Sequence, residues 1–121
     1  AAGFGIDPSG STYEGMAPGA NIVALKVFPD GTDTGASRGD IEQALQWIVA
    51  NAATFNIASV NLSLGSGNAN GIATLELSDE FQALADLGVI VVTAAGNSFF
   101  TFGGRQGVSS ISADANTLSV G

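Results

Sequence analysis

The chain has 121 residues, 45% of them hydrophobic, and its 11 acidic and 3 basic side chains give a formal net charge of −8. This is the size of one domain, and the negative charge would repel nucleic-acid phosphates and anionic lipids, so neither nucleic acid nor membrane is expected as a partner. The sequence contains neither cysteine nor histidine, which excludes disulfides, thiolate chemistry and a histidine general base within the chain. It opens on Ala1 and closes on Gly121 after a strand-like run, so we expect residues 1–121 to be a single domain or a fragment of one.

The first half of the chain predicts loops around one strand and one helix. Residues 1–19 are rich in glycine and proline and predict a long surface loop. Residues 21–28 (NIVALKVF) are almost continuously apolar, as a buried parallel strand requires, and residues 29–35 are a polar loop. Ser37 and Asp40 resemble a capping box, which predicts a helix over residues 38–53.

The second half alternates strands and helices. Residues 57–64 predict a strand and residues 65–71 a flexible glycine-rich loop. A second helix should follow, with an apolar face and a glycine after its end, and then two more strand-like runs. The face consists of Leu77, Phe81, Leu84 and Ala85; the glycine is Gly88; the strands are residues 89–94 and 117–121.

This order of elements predicts an α/β fold with three layers, in which helices flank a mainly parallel sheet. Ligands of such sheets bind where the strands end at their carboxyl side. Functional residues are therefore expected in residues 28–36, 63–67 and 94–97.

Two patterns in the chain could form a ligand site. Gly65, Gly67 and Gly71 follow a strand, but the helix does not begin inside this pattern and no acidic residue ends the next strand, which argues against a dinucleotide site. Asp30, Asp33 and Asp40 could bind calcium or form a solvated loop, and they do not match an EF-hand.

Four blocks of the sequence, in order, resemble the subtilisin-like serine peptidases, or subtilases. Together they extend over nearly the whole chain. The blocks are residues 15–27 (GMAPGANIVALKV), residues 41–65 ending in VNLSLG, residues 88–97 (GVIVVTAAGN) and residues 117–121 (TLSVG). The resemblance implies that the fold is part of a subtilisin-like fold.

The resemblance also implies roles for individual residues. Asn97 matches the asparagine whose side-chain amide donates a hydrogen bond to the oxyanion of the reaction. Ser63, Leu64 and Gly65 match the segment that pairs with the substrate backbone, and Thr34, Gly35 and Ala36 match the strand on the other side of the peptide. Ala94, Ala95 and Gly96 match the wall of the first specificity pocket, and Ile41 and Leu64 match a more distant apolar pocket. Ile41 and Leu64 fit core positions equally well.

The family's aspartate, histidine and serine motifs are absent from this chain. We therefore expect the central fragment of a subtilisin-like serine endopeptidase that contributes the oxyanion hole and substrate-binding segments and is inactive in isolation. Its partners would be a polypeptide substrate and the remaining segments of the parent peptidase, and it could self-associate through an exposed sheet edge. The parent is expected to be a secreted, extracellular bacterial protein that requires no cofactor, although it could bind calcium. The alternative is a non-catalytic α/β peptide-binding or interaction module.

Overall fold

A computed structural model describes residues 4–31, 35–73 and 76–121. Its elements are β1 (Phe4–Ile6), β2 (Thr12–Glu14), α1 (Arg38–Phe55), β3 (Ser59–Leu62), α2 (Ser78–Asp86), β4 (Ile90–Ala94), a 3-10 helix (Ser110–Ala113) and β5 (Thr117–Val120). The strands β3, β4 and β5 form a parallel sheet in that order. The predicted α/β class, with a parallel sheet flanked by helices, is confirmed. In the part of the chain that the structure describes, no helix is long and apolar enough to cross a membrane.

Helix α1 has a side-chain cap at its start and a left-handed residue at its end. The Ser37 hydroxyl oxygen accepts a hydrogen bond from the Asp40 N–H at 3.1 Å, as the capping pattern predicts. At the other end Asn56 has φ of 51°, and the N–H of Ile57 bonds to the carbonyl of Ala52 at 2.9 Å. The helix is therefore two residues longer than predicted, because asparagine tolerates the left-handed conformation that ends it.

Helix α2 ends at the predicted glycine. Gly88 has φ of 76°, and its N–H bonds to the carbonyl of Ala85 at 2.9 Å, while the N–H of Val89 bonds to the carbonyl of Leu84 at 2.9 Å. This pair of bonds is a Schellman motif, in which the positive φ suits glycine. The placement of Ala85 on the apolar face is wrong: its side chain is exposed, because the buried stripe runs through Leu84 and Phe81 and leaves Ala85 at its border.

One cluster of buried side chains joins both helices to one face of the sheet. Val60 of β3 and Val91 of β4 are register partners and so point to this face. The cluster consists of Ile41, Leu45, Ile48, Ala52, Val60, Leu77, Phe81, Leu84, Val89 and Val91. On the opposite face Ile90, Leu118 and Val120 are 57%, 56% and 51% exposed. Among the described residues, the helices thus cover one side of the sheet, which gives two of the three predicted layers.

The prediction of a strand at residues 21–28 is wrong. No strand is assigned there, and most of its apolar side chains are exposed. A buried parallel strand needs a neighbouring strand for its backbone and cover on both faces. This segment runs over the surface instead, and only Val27 packs against the core cluster.

The prediction of a long surface loop over residues 1–19 is wrong for residues 4–14, because β1 and β2 pair there as an antiparallel hairpin, while residues 1–3 lie outside the described residues. The Asp7 carboxylate accepts hydrogen bonds from the Ser9 hydroxyl at 2.6 Å, the Ser9 N–H at 2.8 Å and the Ser11 N–H at 3.0 Å. These bonds hold the pKa of Asp7 below its ordinary value, and the bond from the Ser9 hydroxyl contributes most. Across the hairpin the Tyr13 ring lies against Gly5, where a β-carbon would come within 2.6 Å of the Tyr13 hydroxyl oxygen.

A buried carboxyl group lies where α1 and α2 pack together. Glu80 is 6% exposed, and its Oε1 accepts a hydrogen bond from the Gln46 Nε2 at 2.9 Å. Its Oε2 is buried and has no hydrogen-bond partner among the described residues. Burial, assisted by the neighbouring Asp79, raises the pKa of Glu80 above its ordinary value of 4.5.

Replacing Glu80 with glutamine should stabilise the fold at neutral pH by about 1 kcal/mol, because the uncharged amide removes the penalty of burying an ionised carboxylate. The raised pKa means that the native state holds this proton more tightly than the unfolded state. The group's contribution is therefore most favourable below pH 4.5 and is lost as pH rises through the native pKa. Urea unfolding at pH 7 and pH 4 checks this, with Glu14→Gln on the exposed strand β2 as the control for the charge change. An equal effect of Glu80→Gln at both pH values would contradict the prediction.

Candidate functional site

The carboxyl ends of β3 and β4 lie side by side at one edge of the sheet. Leu62 is the register partner of Thr93, so residues 63–65 and residues 94–97 leave the sheet together. The structure therefore brings together two of the three segments in which functional residues were predicted.

Residues 63–65 leave β3 with their backbone unpaired. The N–H and C=O groups of Ser63, Leu64 and Gly65 form no hydrogen bond with the rest of the described chain. The Ser63 hydroxyl is held by the Asn61 side chain at 3.0 Å, and Leu64 is half-buried against the core cluster. The side chains fix the segment in place while its backbone remains free to pair with an extended chain.

Residues 95–97 follow β4 on a backbone that is fixed on both sides. The Ala95 N–H donates to the Val120 carbonyl at 2.7 Å, and the Ala95 carbonyl accepts from the Ser109 N–H at 2.7 Å. Gly96 has φ of 102°, a conformation that favours glycine. Asn97 comes next, is exposed, and its side-chain amide has no hydrogen bond with any described residue. The Asn97 amide is therefore free to donate a hydrogen bond, and it follows a segment whose backbone is held by hydrogen bonds on both sides.

Three hydroxyl groups beneath this segment form one buried network. The carbonyl of Ala94 accepts hydrogen bonds from the Ser109 hydroxyl at 2.7 Å and the Ser112 hydroxyl at 2.6 Å. The two serine oxygens are 3.0 Å apart, and that of Ser112 is 2.9 Å from the Thr93 hydroxyl oxygen, which lies 3.4 Å from the Leu118 carbonyl. Each hydroxyl has one proton, so the strongest consistent arrangement sends both serine protons to Ala94 and that of Thr93 to Leu118. The network fixes the residues that precede Asn97.

Ser109 is a residue of this site that the sequence analysis missed. A β-carbon at Gly65 would come within 2.7 Å of the Ser109 hydroxyl oxygen, and one at Gly96 within 3.7 Å of its β-carbon. Ser109 therefore fills the space between the two segments that leave β3 and β4. It lies in a serine- and glycine-rich tail with no local pattern, so only long-range packing reveals its position.

Gly65→Ala should destabilise the chain by about 1–3 kcal/mol, because the added methyl group overlaps the Ser109 side chain and φ at this position is 154°. Combining it with Ser109→Gly removes the overlap. Urea unfolding of the four proteins in this double-mutant cycle should show the double variant to be more stable than the sum of the single changes predicts. Strict additivity would show that the two residues are not in contact.

The other predicted site residues precede α1, lie within it or fall outside the described residues. Gly35 is exposed and Ala36 is half-buried against the core cluster, whereas Thr34 lies outside the described residues. Ile41 is 8% exposed and belongs to the core cluster, which gives it a packing role. Its assignment to an apolar substrate pocket stays a prediction.

The acidic residues considered for calcium do not form a site among the described residues. Asp30 is ion-paired with Lys26, and the Asp40 carboxylate accepts a hydrogen bond from the Ser37 hydroxyl at 2.6 Å. Asp33 lies outside the described residues. In residues 4–31, 35–73 and 76–121 no group of three or more histidine, cysteine, aspartate or glutamate residues could hold a metal ion.

The parallel sheet with its flanking helices agrees with the family that the sequence matches. Residues 2–121 match the Subtilase family, a family of serine peptidases, and the chain belongs to it. It is similar to a PII-type proteinase of the bacterium Lacticaseibacillus paracasei, with 35% identity over 108 residues, which are 88% of this chain and 5% of that protein. The chain thus spans about one twentieth of the length of this relative.

Proposed function

We propose that this chain supplies the oxyanion hole and substrate-binding segments of a subtilisin-like serine endopeptidase. The observation that carries the proposal is the exposed Asn97 amide, which is uncommitted and follows an anchored backbone. When a serine attacks the scissile carbonyl, the carbonyl oxygen becomes negative, and a fixed amide N–H stabilises that charge without having to reorganise. A neutral donor suits this role because it transfers no proton.

The unpaired backbone of residues 63–65 would bind the substrate. An extended peptide can add to such an edge as a further strand, and its main-chain hydrogen bonds are independent of the peptide's side chains. Residues 34–36 would flank the other side of the peptide. Ala94, Ala95 and Gly96 would line the pocket for the side chain next to the scissile bond, where their small size leaves room for a large apolar group. This arrangement fits hydrolysis of polypeptides with broad preference.

The catalytic triad would come from other segments of the parent peptidase. The 121 residues include no histidine, so the chain cannot provide the base that activates a serine in the Ser-His-Asp mechanism. The isolated chain would therefore be inactive. We extend the proposal to a secreted bacterial parent, in keeping with the bacterial relative.

Reconstitution tests this proposal. The chain is mixed with polypeptides that carry the parent's aspartate, histidine and serine motifs, and hydrolysis of a chromogenic peptide is followed. We expect activity in the complete mixture and none from the chain alone. Activity of the chain alone would contradict the proposed division of roles.

A second candidate is a peptide-binding module without catalysis. The observation that favours it is the free backbone of residues 63–65, which can hold a peptide whether or not a triad is present. A complete mixture that binds the peptide without cleaving it would establish this candidate in place of the first.

The isolated chain should self-associate through the open face of the sheet. Ile90, Leu118 and Val120 form an exposed apolar patch there, and such patches drive association. Light scattering should therefore show a mass that rises with concentration, and Ile90→Lys should reduce it. The matched control is Ile72→Lys, at an exposed position outside the sheet. A chain that stays monomeric at high concentration would contradict the prediction.

A further inference from the structure

A polar pocket lies between the two loops that follow β3 and β4. Its volume is about 540 Å³. The loops are joined beside it by an antiparallel bridge, in which the N–H groups of Ala69 and Val108 donate to each other's carbonyls at 2.8 and 3.0 Å. The pocket is lined by Asn68, Asn70, Phe102, Arg105 and Gln106. Because both loops start at the edge that carries Asn97, the pocket belongs to the same end of the sheet.

Arg105 is held in this pocket by its own turn. Its Nε donates to the Phe102 carbonyl at 3.2 Å, and its carbonyl accepts from the Asn68 Nδ2 at 3.4 Å. The Nε bond fixes the orientation of the guanidinium plane. Its two terminal nitrogens form no hydrogen bond with the described residues. The fork of N–H groups is therefore free to bind a ligand.

The positive charge of Arg105 has no partner in the described part of the chain. The three basic residues are Lys26, Arg38 and Arg105, and the first two are ion-paired with Asp30 and Glu76. Arg105 has no ion pair among the described residues, and no acidic residue lines its pocket. An unpaired guanidinium is unusual in a chain of net charge −8, because its 11 acidic side chains outnumber its 3 basic ones and offer many possible ion-pair partners.

The chemistry of the lining fits a carboxylate. A guanidinium presents parallel N–H groups that match the two oxygens of a carboxylate. The amides of Asn68, Asn70 and Gln106 offer further donors, and the Phe102 ring offers an apolar surface to the methylene groups of a glutamate side chain.

We propose that this pocket binds an acidic side chain of a polypeptide held at the sheet edge, and that Arg105 is its specificity-determining residue. The proposal rests on the proposed function in one respect, that the ligand is a peptide. It adds a preference that the pocket wall of small residues does not supply, since that wall distinguishes size and not charge.

Binding to the chain itself tests the proposal without any catalysis. Labelled peptides, acetylated and amidated, carry glutamate or glutamine at one position that is moved along an otherwise neutral sequence, and fluorescence anisotropy gives Kd. At the position that reaches the pocket we expect the glutamate peptide to bind about tenfold more tightly, a typical effect of one charge-assisted pair. R105Q should abolish this preference. K26Q removes the same charge from the ion pair with Asp30 and should keep the preference.

A glutamine peptide with a free carboxyl terminus separates the two sources of a carboxylate. Equal tightening by the free terminus would overturn the assignment to a side chain. Three results would overturn the assignment of this pocket to an acidic side chain. They are equal binding of the glutamate and glutamine peptides at every position, no measurable binding of any peptide, and equal loss of preference in R105Q and K26Q. If the preference is found but the reconstituted mixture does not hydrolyse peptides, the pocket stands and the peptidase proposal fails. If the mixture hydrolyses peptides but the chain shows no preference for acidic residues, the peptidase proposal stands and the pocket proposal fails.

Discussion

Replacing Asn97 with alanine is expected to lower kcat of the assembled peptidase, meaning this chain together with the segments that carry the triad, by about 10²- to 10³-fold. This magnitude is the one known for the oxyanion-hole asparagine of subtilisin, a member of the same family, whose motif Asn97 matches. KM should change little, because the lost hydrogen bond forms with charge that develops only in the transition state. Steady-state hydrolysis of a chromogenic peptide measures both constants.

Two further variants make this result specific. Asn97→Asp keeps the size of the side chain but replaces the donor with a carboxylate that repels the oxyanion, so its kcat should fall at least as far. Asn51→Ala removes an amide that donates to the Trp47 carbonyl within α1, far from the sheet edge in sequence, and should leave kcat unchanged. A rise in KM without a fall in kcat for Asn97→Ala would contradict this prediction and indicate a role in ground-state binding.

Phe81→Ala is expected to destabilise the chain by about 3–5 kcal/mol, a large part of the 5–15 kcal/mol that a domain commonly has. Phe81 is fully buried at the centre of the cluster that joins α1, α2 and the sheet. The small core leaves a cavity that its neighbours cannot fill, so the loss of packing adds to the loss of apolar burial. Urea unfolding followed by circular dichroism measures the free energy of unfolding.

Phe100→Ala is the matched control, because it deletes the same atoms from a side chain that is 89% exposed. It should change the free energy of unfolding by less than about 0.5 kcal/mol. A similar effect of both variants would show that the cluster around Phe81 does not form the core of the folded chain.

The elements that local chemistry specifies were predicted from the sequence. Ser37 begins α1 and Gly88 ends α2 because the capping hydrogen bond and the positive φ are properties of those residues and their neighbours. The apolar runs of β3, β4 and β5 likewise occupy the predicted places. Residues 21–28 were mispredicted because an apolar run indicates burial and strand propensity but does not identify the neighbouring strand that it requires.

The site was predictable only where a family motif marks it. The segments with Ser63 and Asn97 were found from their motifs, and the parallel register of β3 and β4 places them at one edge. Ser109 and Arg105 lie in an irregular tail, and their positions depend on bonds to residues that are distant in the chain, such as Ala94 and Asn68. The hairpin was missed for a different reason: its turn depends on the Asp7 carboxylate, whose hydrogen bonds are not implied by a count of glycines and prolines.

The most direct test of the oxyanion role is the NMR signal of the Asn97 side-chain amide in the assembled peptidase labelled with ¹⁵N-asparagine. A peptide boronic acid, which forms a negatively charged tetrahedral adduct with the catalytic serine, is added, and Asn97→Ala identifies the signal. The account predicts that this amide shifts strongly downfield on adduct formation, while that of Asn51 stays in place. An Asn97 signal that is unchanged in the inhibited enzyme would contradict the account.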